Sequence, residues 1–193
     1  MKRERLGCSP SQTIGPFYHF ALTPNAAQGC MAVPGAKGER IRVCFRLVDG
    51  DGAPVRDGMI EIWQANAAGK YEHPEDVVMQ TADPAFCGFG RLPTDEEGRC
   101  VFETVRPGRV ADGRGGCQAS HLNVTIFARG LLMHLHTRVY FEGDAALAED
   151  PVLALVPEDR RATLLARRDA AQPAQWNFDI RLQGEDETVF FDL

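Results

Sequence analysis

The residues whose types and spacing could support chemistry begin with a segment at positions 106–129, which runs from a Pro/Gly turn through a glycine-rich loop into an apolar, strand-like run. A loop beside a rigid strand often carries ligands or catalytic groups. Because side chains two apart on a strand point the same way, His121 and Asn123 should face one direction together. Two histidines at this spacing would make a metal-binding pair. An amide is a much weaker ligand, so the spacing leaves open whether the segment holds a metal.

Tyr71 is the tyrosine best placed to join such a site. Tyrosinate oxygens stabilise a hard iron(III) centre, and imidazoles can complete it. The chain has three tyrosines. Tyr18 lies in an N-terminal arm and Tyr140 in a core-like strand, so Tyr71 is the one in a loop suited to ligation.

Two further groups have both a chemical and a plain structural interpretation. His134 and His136 lie on one face of an apolar run and could bind a metal, although the apolar residues at 131–133 favour a packed or hydrogen-bonded pair. Arg129 follows an apolar strand and precedes a glycine. Its planar guanidinium could bind a carboxylate, or it could simply be solvated.

The composition favours one soluble domain over residues 1–193. The chain has 44% hydrophobic and 25% charged residues, and its net charge of −6 argues against a nucleic-acid partner. No run of 18 apolar residues occurs, and we expect a cytoplasmic protein. The six cysteines show no C-x-x-C pair, so we expect buried free thiols.

The elements that must position these residues are predicted to be mainly β-strands. Short, alternating or apolar runs separated by glycine turns indicate a β-sandwich or barrel. They lie at 41–48, 59–65, 88–94, 99–105, 121–128, 131–141 and 176–184. We expect an extended arm and loops over 1–39, a β-core over 40–193, and a helix near 157–168 with acids at its start and arginines at its end.

Several stretches together resemble the intradiol ring-cleaving dioxygenases. They are DGMIEIWQANAAGKY at 57–71, FGR at 89–91, RPG at 106–108 and RVYFEGD at 138–144. The resemblance runs from about Ser9 to the C-terminus. It implies a β-sandwich core and, in iron-bearing chains, a ferric ion held by two tyrosines and two histidines.

Three more stretches are similar to the α-type chain of two-subunit members of that family: PSQTIGP at 10–16, IFARG at 126–130 and GEDETVFFD at 184–192. This implies an αβ assembly in which the partner β subunit binds the Fe(III). It also implies O₂-dependent cleavage of 3,4-dihydroxybenzoate to a carboxymuconate, with the isolated chain inactive.

The resemblance also implies roles for individual residues. Tyr71 and His121 stand at ligand positions, but Asn123 replaces the second histidine, and the loop at 107–120 has no tyrosine. We therefore expect a vestigial site without iron. Residues that would line the partner's active site and contact the substrate are Thr13, Gly15, Pro16 and Arg129.

Two alternatives stay open at this point. One is a catalytically inert β-sandwich binding module. The other is a single-chain metalloenzyme that uses His134, His136 and a carboxylate.

Overall fold

The computed structural model describes residues 8–76, 82–113 and 115–192, and these are mainly β-structure. One short α-helix, α1, spans Tyr18–Leu22, and 3₁₀ helices span Ala26–Gly29, Ala145–Glu149, Leu153–Leu155 and Glu158–Leu164. The strands are β1 Arg40–Val48, β2 Met59–Trp63, β3 Phe89–Pro93, β4 Arg99–Val105, β5 Val110–Ala111, β6 Cys117–Gln118, β7 His121–Phe127, β8 Leu135–Phe141, β9 Leu165–Arg168 and β10 Gln175–Arg181.

The strands form one curved sheet whose two halves share a core. The order is β3-β2-β7-β8-β9-β10-β1-β4, and β5 and β6 form a separate two-stranded sheet. Strand β9 joins the halves, since it pairs parallel with β8 and antiparallel with β10. Both halves contribute to one buried cluster, in which Phe141 meets Trp176 edge-on at 5.0 Å. The predicted mainly β fold with a sandwich core is confirmed.

Strand β1 shows how the sequence produces this layering. Ile41, Val43, Phe45 and Leu47 are buried, and the arginines that alternate with them in the first half of the strand are exposed. A period of two puts one set of side chains into the core and the other into solvent. Phe45 then packs edge-on against Phe102 of β4 at 5.7 Å. Full burial of such side chains contributes about 1.5–3 kcal/mol each.

Strand β7 holds the candidate site. Leu122, Val124 and Ile126 point into the core, which leaves His121 and Asn123 on the other face. Antiparallel neighbours flank the strand on both sides, β2 on one and β8 on the other. The site is therefore built on a strand whose position is fixed by two hydrogen-bonded ladders.

The predicted helix near 157–168 is wrong in its second half. A 3₁₀ helix ends at Leu164, and Leu165–Arg168 is strand β9. Ala166 is buried, whereas Arg167 and Arg168 are exposed and pair with β10 in register. Ladder hydrogen bonds to β8 and β10 outweigh the local helix signal of this acid-to-arginine run.

Three smaller expectations also need correction. The arm and loops at 1–39 contain α1 and a 3₁₀ helix within the described residues 8–39. The strand expected at 131–141 starts only at Leu135, after a turn in which Gly130 has a φ of +94°. The six cysteines are unpaired as expected, but only Cys100 is buried and four are exposed.

None of the helices in the described part of the chain combines the length and the apolar character needed to span a bilayer.

Candidate functional site

Tyr71, His121 and Asn123 meet on the outer face of the sheet. The Tyr71 hydroxyl oxygen lies 3.2 Å from His121 Nε2, and Asn123 Nδ2 donates to the same hydroxyl at 3.0 Å. The structure thus brings together the three residues that the sequence marked as ligand positions. They form a direct hydrogen-bonded chain.

The loop after β2 carries Tyr71 to this place. The Asn66 side chain accepts hydrogen bonds from the backbone N–H groups of Ala68 and Lys70, which fixes a tight turn. Gly69 is needed in that turn, since its φ is +81° and a Cβ would clash with the Arg109 carbonyl oxygen. The Tyr71 ring then stacks on Trp63, the last residue of β2, with centroids 5.9 Å apart.

The hydrogen-bond partners determine where the protons lie on His121, Tyr71 and Asn123. His121 Nδ1 lies 2.7 Å from the Ala119 carbonyl, which can only accept, so Nδ1 carries the proton and Nε2 accepts from Tyr71. The Tyr71 hydroxyl therefore has to accept from Asn123. The amide NH₂ faces it and also donates to the Trp63 carbonyl at 3.2 Å. The Tyr71 hydroxyl, both His121 ring nitrogens and the Asn123 amide nitrogen therefore each have a partner of the right kind.

Burial favours the neutral forms of both Tyr71 and His121, and a neighbouring cation adds to this effect at His121 only. Desolvation, followed by the positive charge of Arg138, lowers the pKa of His121 to about 4. Desolvation raises the pKa of Tyr71, against smaller opposing effects of Asn123 and Arg138. At neutral pH we therefore expect an uncharged imidazole beside an uncharged phenol.

A second set of hydrogen bonds supports the base of the site. The buried carboxylate of Asp150 accepts from the Ala119 N–H at 2.7 Å and from the Tyr140 hydroxyl at 3.0 Å. It also accepts from the N–H groups of Val152 and Leu153 at 2.9 and 2.7 Å. Asp150 thereby fixes the Ala119 peptide, whose carbonyl orients His121.

The donor set at this site does not fit a ferric ion. A ferric ion is best served by several anionic oxygen and neutral imidazole ligands. Tyr71 and His121 are bonded to each other, Asn123 presents an N–H rather than a lone pair, and Arg138 places a fixed positive charge nearby. An incoming ferric ion would have to break these hydrogen bonds. It would then gain only two good ligands from this set, Tyr71 and His121, next to the positively charged Arg138 guanidinium.

The second group of predicted residues lies at the other end of β7. The Thr13 hydroxyl accepts a hydrogen bond from Gly130 N–H at 2.7 Å, and the Arg129 guanidinium pairs through Nε with the Asp57 carboxylate. Gly15 and Pro16 precede α1, and the Gly15 carbonyl accepts from the Tyr18 N–H at 3.2 Å. The arm therefore lies against the turn that carries Arg129.

The two groups of predicted residues are well separated. His121 is the first residue of β7, and Arg129 follows the strand's last residue, Phe127, by two positions. At roughly 3.4 Å per residue the strand alone spans about 20 Å. Arg129 therefore does not serve the Tyr71–His121 site in the same chain, and any ligand of Arg129 has to lie elsewhere.

Asp57 is the residue at this end that sequence reasoning missed as a site residue. It lies in the stretch that carries the family resemblance, directly before the glycine that precedes β2. The pairing of Asp57 with Arg129 gives no periodic signal in the sequence, because the two residues are 72 positions apart.

His134 and His136 form a packed pair. Their rings meet edge-on at 4.7 Å, the His134 ring lies 5.3 Å from Phe127, and His136 Nδ1 is 3.2 Å from the Thr125 hydroxyl. They line an open groove of about 590 Å³ beside the arm. Within residues 8–76, 82–113 and 115–192, no three or more His, Cys, Asp or Glu side chains lie close enough together to hold a metal ion, so His134 and His136 have no third ligand of these types there.

Comparisons with known proteins agree with the fold and the resemblance. A family model described as Dioxygenase matches residues 14–184. The chain is 44% identical over 198 residues to the protocatechuate 3,4-dioxygenase alpha chain of Burkholderia cepacia, covering 96% of this chain and 97% of that one. It is 37% identical over 185 residues to the beta chain from the same organism, covering 92% and 77%.

Solved structures show the same architecture. Catechol 1,2-dioxygenase from Pseudomonas arvilla C-1 superposes with a TM-score of 0.61 at 25% identity, covering 83% of this chain. The chain spans 58% of that enzyme's length. With the match of the family model and the full-length identity to dioxygenase chains, the chain belongs to the intradiol dioxygenase family.

Proposed function

We propose that this chain is the α subunit of a protocatechuate 3,4-dioxygenase. Together with an iron-bearing β subunit it would carry out the O₂-dependent cleavage of 3,4-dihydroxybenzoate to 3-carboxy-cis,cis-muconate. The ring opens between the two hydroxylated carbons, and both atoms of O₂ enter the product. The observation that carries the proposal is the full-length identity to an alpha chain, at 44%, which exceeds the 37% identity to a beta chain.

The chemistry of the Tyr71 site supports the division of labour between two chains. An intradiol dioxygenase needs iron(III), and the hydrogen-bonded chain of Tyr71, His121 and Asn123 does not fit that ion. We therefore assign the Fe(III) to the partner β subunit and regard the site in this chain as vestigial. Its hydrogen bonds now serve to hold the loop after β2 against β7.

The arm and Arg129 are the parts of this chain proposed to act in catalysis by the complex. The proposed substrate carries a carboxylate that is anionic at neutral pH, and a guanidinium binds such a group through parallel N–H bonds. The Arg129 side chain is 57% exposed, and Thr13, Gly15 and Pro16 are exposed beside it. They would line the β subunit's active site, with Arg129 as the contact for the substrate carboxylate.

We further propose that residues 1–193 form a single domain that works in the cytoplasm. The shared core of both sheet halves and the absence of an 18-residue apolar run in the sequence support this.

Co-expression with a candidate β chain tests the proposal. The αβ complex should contain iron and cleave 3,4-dihydroxybenzoate, which is followed by O₂ consumption and by the ultraviolet absorbance of the product. After separation, this chain should contain neither iron nor activity. A complex that forms without any ring-cleaving activity would instead indicate the inert binding module, and stoichiometric metal in this chain alone would contradict the vestigial site.

A further inference from the structure

Asp57 connects the arm to the turn that carries Arg129. Its carboxylate pairs with the Arg129 Nε, and its backbone carbonyl accepts a hydrogen bond from the Tyr18 hydroxyl at the start of α1. Gly130, next to Arg129, donates to Thr13 of the arm at 2.7 Å. The arm is therefore connected to the arginine-bearing turn in two independent ways, one through Asp57 and one through the hydrogen bond between Thr13 and Gly130.

The ion pair occupies only one edge of the guanidinium. Asp57 engages Nε, and within the described part of the chain it is the polar partner of the Arg129 side chain. The opposite edge, formed by Nη1 and Nη2, offers two parallel N–H groups that match the two oxygens of a carboxylate. Arg129 is more than half exposed, so an external carboxylate can reach this edge while Asp57 stays in place.

A long side chain that is this exposed needs a partner to keep one orientation. Arginine has several freely rotating bonds, and binding a ligand is weakened when these have to be ordered at the same time. Asp57 is 29% exposed and lies just before β2, a strand paired on both sides, so its own position is well fixed. It can therefore hold Arg129 in one rotamer before any ligand arrives.

We propose that Asp57 is a positioning residue, which aims the Nη edge of Arg129 at the substrate carboxylate and thereby sets the preference for a carboxylated catechol over catechol itself. This inference rests on the proposed function. The opposite role for the same carboxylate is competition, in which Asp57 repels the substrate and has to be displaced from Arg129. The two roles differ in the sign of their effect on the Michaelis constant.

The test uses the assembled αβ complex with Asp57→Ala and Asp57→Asn. The alanine variant should raise the KM for 3,4-dihydroxybenzoate about three- to tenfold, the cost of leaving one long side chain unordered, with kcat little changed. Asparagine keeps an oxygen that accepts from Nε, so it should restore most of the affinity. The KM for catechol should change less than twofold in both variants.

A double-mutant cycle separates positioning from general damage. In the Arg129→Ala background, Asp57→Ala should have no further effect on the KM for 3,4-dihydroxybenzoate, because no guanidinium is left to position. Glu96→Gln is the matched control, since it removes the carboxylate of an exposed ion pair with Arg56, the residue next to Asp57. It should leave both substrates unaffected.

Several outcomes would overturn the inference. An unchanged or lower KM for 3,4-dihydroxybenzoate in Asp57→Ala would show that Asp57 is idle or competes. An equal rise for catechol, or a further rise in the Arg129→Ala background, would show a merely structural role. If the Asp57→Ala chain does not assemble with the β subunit, Asp57→Leu takes its place, because leucine is close to aspartate in shape but has no hydrogen-bond acceptor. The same rise in the KM for 3,4-dihydroxybenzoate is expected. The proposed function fails separately, through an inactive wild-type complex or through an Arg129→Ala change that weakens 3,4-dihydroxybenzoate and catechol equally.

Discussion

The Tyr71 hydroxyl donates to His121 Nε2 over 3.2 Å, so the two residues predicted to stand at metal-ligand positions are each other's hydrogen-bond partners. His121 is buried, and its other ring nitrogen is satisfied by the Ala119 carbonyl at 2.7 Å. A pair that is internally satisfied in this way needs no metal to compensate its burial. This relationship leads to the first two predictions.

A histidine in place of Asn123 should not by itself create an iron site. In Asn123→His the set would have one tyrosine and two histidines, but the Arg138 charge would remain, and the loop at 107–120 would still lack a tyrosine. We expect substoichiometric iron in both wild-type and variant chains, measured by elemental analysis after loading with ferric citrate and desalting. The β chain, loaded in the same way, is the positive control. One iron per variant chain would contradict the expectation.

The neutral state of His121 should make stability depend on pH. Its pKa is about 4 in the folded chain against 6.5 for an ordinary histidine, so the unfolded chain binds more protons between these values. The contribution is present above pH 6.5 and is lost as the pH falls towards 4, to a total of about 3 kcal/mol. Urea denaturation at pH 7 and pH 4.5 should show a smaller pH-dependent loss in His121→Gln than in wild type. His73→Gln, at an exposed position, should keep the wild-type loss.

Among the polar residues that support the Tyr71–His121 site, Asp150 should be the one whose substitution lowers the free energy of unfolding most. Its buried carboxylate accepts hydrogen bonds from Ala119, Tyr140, Val152 and Leu153, and truncation leaves these donors without an acceptor. Asp150→Ala should lower the free energy of unfolding by about 3 kcal/mol or more. Thermal and urea denaturation measure the change. Asp49→Ala, which removes a carboxylate from an exposed turn, should lower the free energy of unfolding distinctly less. Equal losses in the two variants would mean that the buried hydrogen bonds of Asp150 contribute no more to stability than those of an exposed turn.

Arg129→Ala should weaken binding of the carboxylated substrate selectively. Loss of a charge-assisted hydrogen bond is worth about 1.5–3 kcal/mol, which corresponds to roughly a 10- to 150-fold loss in kcat/KM for 3,4-dihydroxybenzoate. Catechol lacks the carboxylate and should be much less affected. Steady-state kinetics of the αβ complex measure both substrates, with Arg56→Ala as the control at an exposed arginine that faces Glu96. Equal losses for the two substrates would exclude a contact between Arg129 and the carboxylate.

Local patterns in the sequence were sufficient for much of the fold. The alternation in β1 and β7 reflects a period of two, which is set by the backbone itself, so the strands and the shared face of His121 and Asn123 could be predicted. Asn123, at a position where the family resemblance implies a histidine, is likewise a property of the sequence, and together with that resemblance it predicts a site unsuited to iron.

Long-range contacts decided the rest. Residues 165–168 became β9 because β8 and β10 offer ladder partners that no local rule includes. Tyr71 meets His121 from 50 positions away, and Asp57 meets Arg129 from 72. Such pairs form only when the sheet brings distant segments together. The sequence by itself therefore determined which groups this chain has, and the tertiary structure decided that Tyr71 and His121 bond to each other and that Asp57 holds Arg129.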